Sequence, residues 1–186
     1  MATNIMQPVV KPATARFAVT SLQEVAETIQ MDALAYAHSR FTQPIRAASI
    51  EELLQRHDFV NFFKLGLAER IANTLAANDE HVQAIYYFDP NLSADAETET
   101  YTALDPSINL LVRVKSKSAA LSSFIAALDD ALALQARKLP SPHYAALASI
   151  LNAILITEED VEQKRGYAAL LSSLYLKPRQ VWISEE

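Results

Sequence analysis

The chain of 186 residues contains no cysteine. That excludes a disulfide framework, thiolate metal sites and cysteine nucleophiles. It has only two glycines, Gly66 and Gly166, far apart. Phosphate loops and the sharp elbow of a serine hydrolase both need clustered glycine, so neither can be built here. Positive charge is in deficit: 16 Lys+Arg against 22 Asp+Glu gives a net charge of −6 with histidines neutral. Nucleic acid, which asks for concentrated positive charge, is therefore not an expected partner. Long apolar runs are lacking too. The most apolar stretch, residues 145–156, is about a dozen residues long and contains Ser149 and Asn152. A bilayer span needs roughly 20, so no membrane is expected. No apolar run follows Lys11 and Arg16 as a secretory signal requires. The default location is cytoplasmic.

What the chain does have is apolar side chain, 51% of its residues, which is too much for disorder of the whole. Residues 1–20, with Pro8 and Pro12, read as a flexible arm. Residues 21–186 read as a single domain, with a helical region over 21–78 and a mixed core over 79–186. Ser21 with Glu24 has the pattern of a capping box. Behind it Leu22, Val25, Ile29, Ala33 and Tyr36 recur at helical steps. Ser49 opens a short helix, and Phe59, Phe63, Leu67, Ile71 and Leu75 mark a longer one that ends at Asn78-Asp79. The pattern then changes to short apolar strands: VQAIYYF (82–88), INLLVRV (108–114) and SILNAILI (149–156). Leu121, Ile125, Leu128 and Leu132 predict a helix between the last two. Thr157 caps a final helix carrying Val161, Ala168, Leu171 and Tyr175, with a bend at Gly166, and QVWIS (180–184) suits an edge strand. The expected fold is mixed α/β (α+β): a small mixed sheet with helices packed mainly on one face.

A helix ending at Asn78, strand VQAIYYF, a loop, strand INLLVRV, a helix and strand SILNAILI together resemble the core of the nucleotidyltransferase superfamily. The resemblance spans Leu67 to Thr157, about half the chain. In that family the first strand ends in a Gly-Ser turn facing the triphosphate, and the second opens with two carboxylates one residue apart. Alternate strand residues share a face, so such acids jointly hold the divalent ions of an in-line phosphoryl transfer. A third acid often comes from the next strand. Here the frame is kept and the chemistry is missing. Phe88 matches the aromatic before the turn, but Asp89-Pro90 replaces Gly-Ser, and proline removes an N–H donor. Ser107 and Asn109 replace the paired carboxylates, and Asn152 is the polar position on the third strand. Neutral oxygens hold magnesium far less well than carboxylates.

The resemblance therefore implies a degenerate, catalytically inactive member without a cofactor, acting in binding or assembly and retaining a nucleotide or anion cleft. Two other readings stand beside it. One is an active enzyme using Mg²⁺ and a nucleoside triphosphate, with Asp89 and Asp105 as displaced metal ligands. The other is a structural interaction domain presenting its Phe-rich helices, although an aromatic stripe at that spacing is more often core. Arg113, Lys115 and Lys117, spaced by two where a strand meets a helix, are candidate anion ligands. Glu158, Glu159 and Asp160 are accounted for by the helix dipole. The four histidines lack metal-ligand spacing. Trp182 packs back on the domain or pairs with a second copy, so a homodimer or another protein is an expected partner.

Overall fold

The computed structural model describes residues 19–41, 48–89, 106–173 and 178–184. Most of the predicted arm, and the acidic loop holding Pro90, Asp95, Glu97, Glu99 and Asp105, lie outside these. The elements run α1 (Val19–Arg40), α2 (Ile50–Leu53), α3 (His57–Asn78), β1 (Val82–Phe88), β2 (Ile108–Val114), α4 (Ala119–Ala136), α5 (Pro142–Ala145), β3 (Leu151–Ile156) and α6 (Glu158–Glu162). A 3-10 helix (Gly166–Ser172) and β4 (Arg179–Ile183) follow.

The helical layer follows from spacing. In α1, Leu22, Ala26, Ile29, Ala33 and Ala37 fall at steps of three and four and are all buried. In α3, Phe59, Phe63, Leu67, Ile71 and Leu75 do the same. The two helices approach closely where both side chains are minimal. A Cβ on Gly66 would lie 3.1 Å from the Ala33 Cα and 3.1 Å from the Tyr36 ring. α1 starts at Val19, so Ser21 lies inside the helix rather than capping it. Capping boxes close α2 through Ser49 and Glu52, and α6 through Thr157 and Asp160. α4 is long and apolar enough to cross a membrane, which its sequence did not flag. In the fold, eight of its residues are buried and its apolar stripe packs into the core.

The sheet has strand order β3-β2-β1-β4. β1 pairs antiparallel with β2 and with β4, while β2 and β3 are parallel and joined through α4. At the start of β3, the Asp129 carboxylate on α4 accepts the Ile150 and Leu151 N–H groups at 2.8 Å each, fixing that strand to the helix. Alternation divides the sheet. Ile85, Tyr87, Ile108, Leu110, Val112 and Leu151 join α1, α3 and α4 in the main core. Tyr86, Phe88, Leu111, Ile154 and Ile156 point the other way and form a smaller cluster with Ala168, Leu170 and Leu171.

The chain is thus mixed α+β, with its long helices on one face of a four-stranded sheet. The predicted last helix is corrected. It breaks after α6, where Lys164 (φ 50) and Gly166 (φ 51) turn left-handed, and resumes only as a 3-10 helix. QVWIS does form a strand, paired to β1 with Trp182 opposite Ile85 and packed on the main core.

Candidate functional site

Antiparallel pairing brings the end of β1 to the beginning of β2, and the parallel partner β3 begins there too. Phe88 stands opposite Asn109, and Asn109 stands beside Asn152. The sheet therefore gathers three residues singled out from sequence onto one face. Their chemistry is neutral. The Asn152 Nδ2 donates to Asn109 Oδ1 at 3.0 Å, closing an amide–amide pair across the parallel strands. Ser107, half-buried, precedes Asn109 by two residues. The Tyr167 ring meets Phe88 at a centroid distance of 6.4 Å and borders this patch.

Asp89 does not join them. It continues the side of β1 that faces α3, where Lys64 Nζ lies 2.5 Å from its Oδ2. The Tyr87 hydroxyl donates to the same oxygen at 3.1 Å. With side-chain exposures of 2% and 3%, Lys64 and Asp89 form an ion pair enclosed in protein. A carboxylate so matched has its charge already answered. Its proposed co-ligand Asp105, like Pro90, lies outside the described residues. Among the described residues, no group of three His, Cys, Asp or Glu side chains comes together to hold a metal ion.

The basic trio is also answered internally in part. Arg113 is ion-paired to Glu158, and Lys117 Nζ lies 2.9 Å from Asp160 Oδ2. Glu159 faces Arg165 at 3.4 Å. Lys115 is exposed, and its backbone N–H donates to the His81 carbonyl at 2.9 Å. Glu158 and Asp160 are therefore counter-ions that tie α6 to Arg113 on β2 and to Lys117 just after it, beyond what the helix dipole explains. The Lys117 hydrogen bond, aided by the Thr157 N–H, lowers the Asp160 pKa from 3.8 to about 2.

Lys64 went unnoticed in the sequence, although a signal existed. One turn away on either side lie Val60 and Ala68, both buried. A lysine within such a stripe requires an internal anion. The Phe-rich stripe is core: Phe59 and Phe63 are fully enclosed, with the Phe63 ring on Tyr144. Elsewhere, an apolar groove of about 290 Å³ lined by Leu22, Val25, Thr74, Ala77 and Phe124 lies in the helical layer and shares no residue with the strand-end patch. Set against known proteins, the chain matches no family model, no curated protein and no solved structure.

Proposed function

We propose that this chain is a nucleotidyltransferase-like protein without catalysis, acting as a binding or assembly module through the cleft at the strand ends. The observation that carries this reading is the Asn109–Asn152 amide pair. It sits where the resemblance places carboxylates, on adjacent parallel strands and on one sheet face. Two amides bonded to each other leave no charged oxygen for a hard cation. Asp89 does not supply the missing charge, because Lys64 neutralises it on the opposite side of the strand. The described residues at the strand ends therefore do not fit Mg²⁺.

The ligand that suits the patch is recognised by hydrogen bonding and stacking rather than through a metal-bridged triphosphate. A thermal-shift panel of nucleotides and nucleosides, each with and without Mg²⁺, tests the reading. A ligand bound to the native state raises the melting temperature by mass action. Stabilisation by nucleotide with no metal dependence is the expected result. Stabilisation that requires Mg²⁺ together with ATP, accompanied by pyrophosphate release, would overturn the loss of catalysis.

A further inference from the structure

Strand order obliges the chain to pass from β3 at one edge of the sheet to β4 at the other. It crosses the second face, by way of α6 and the 3-10 helix. Three observations bear on the later part of this crossing. First, the backbone turns left-handed twice within three residues, at Lys164 (φ 50) and Gly166 (φ 51). For lysine that conformation brings Cβ against a carbonyl oxygen. Second, the 3-10 helix runs for seven residues, past the three or four at which its poorer hydrogen bonds usually stop. Third, it is thinly anchored: Ala168 is its one buried residue, while Tyr167 is 55% exposed. Segments with few buried apolar contacts open at free energies below that of global unfolding.

The preceding helix, α6, has no buried residue and is held through the Arg113–Glu158 and Lys117–Asp160 pairs. We propose that residues 164–173 form a strap that opens as a local unit on the Lys164–Gly166 hinge. Opening lifts Tyr167 from Phe88 and bares Phe88, Leu111 and Ile156 beside the Asn109–Asn152 pair. The strap thereby gates the strand-end patch. The gating rests on the binding function proposed above, whereas the opening does not.

Hydrogen exchange of the full chain without ligand, followed by mass spectrometry, tests the opening. Strap amides are expected to exchange at least about tenfold faster than those in the middle of α4, as a low-stability segment does beside a core helix. Two hinge variants then separate local opening from ordinary surface exchange. Lys164→Gly relieves the left-handed lysine and is expected to slow strap exchange about fivefold, the factor to which a cost of roughly 1 kcal/mol converts. Gly166→Ala adds such a cost and is expected to speed strap exchange by a similar factor. α4 amides stay unchanged in both. Should Gly166→Ala fail to fold, Lys164→Gly still decides. Strap amides exchanging as slowly as α4, or hinge variants moving both regions equally or neither, would overturn the strap. Such a result leaves the nucleotide panel untouched, and a panel without any response leaves the exchange result standing.

Discussion

Lys64 shows what a single buried charge demands of its neighbours. Helix α3 places it inside the molecule, and Asp89 and Tyr87 answer it from the end of β1. Removing one member leaves the other charged and enclosed, which costs far more than the intact pair contributes. Lys64→Ala is expected to lower the unfolding free energy by about 3–5 kcal/mol in urea titration. The double variant Lys64→Met with Asp89→Leu, which removes both charges, recovers most of that loss. Equal losses in the single and double variants would show that packing rather than charge holds the site. At the surface the logic differs, because Asp160 gains its partners in solvent. Its folded pKa of about 2 lies below the value of 3.8 for an unpaired carboxyl. Its contribution to stability is therefore complete above about pH 4 and lost as pH falls through about 2. The stability gap between wild type and Asp160→Asn should be constant from pH 5 to 7 and close steadily below pH 4, roughly the range between the two pKa values. A gap that stays open at pH 2 would contradict the ion pair with Lys117.

At the scale of elements, contact between α1 and α3 depends on Gly66 meeting Ala33. Gly66→Leu must push the helices apart and is expected to cost about 1–3 kcal/mol, as overpacking does. A loss confined to a few tenths would mean that the helices part freely. The same elements show how far sequence reading reaches. Phe59, Phe63, Leu67, Ile71 and Leu75 declare α3, since four-residue steps leave one apolar face. VQAIYYF and INLLVRV declare two strands, and alternation puts Tyr86 and Tyr87 on opposite faces, of which Tyr87 is the buried one. The break between α6 and the 3-10 helix was only half legible. Gly166 marked a bend, but the left-handed Lys164 follows from where the chain must cross the sheet, which no local pattern records. Partner identity was the least legible. Arg113, Lys115 and Lys117 read as one basic face because their spacing is visible, whereas the pairing of Arg113 with Glu158 and of Lys117 with Asp160 is not.

For the whole molecule, sheet topology decides which residues can act together. Asn109 and Asn152 are far apart in sequence and meet because β2 and β3 run parallel in register. Asp89, although close to Phe88 in sequence, belongs to the other face and to Lys64. The proposed function predicts that the strand ends accept acids at Asn109 and Asn152, two of the positions the resemblance gives to carboxylates. Asn109→Asp with Asn152→Asp puts two carboxylates where amides now share a hydrogen bond. Like charges at that separation repel, and each raises the pKa of the other. The double variant is therefore expected to be less stable than wild type at pH 7 and to regain stability when protonated near pH 4, since two adjacent carboxylates bind a shared proton. Adding Mn²⁺ or Mg²⁺ at pH 7 should raise its melting temperature, with no comparable effect on wild type. Recovery by acid without recovery by metal would mean that the strand ends hold two acids in register but cannot complete a cation's oxygen shell, and the proposed kinship with metal-dependent transferases would lose its support.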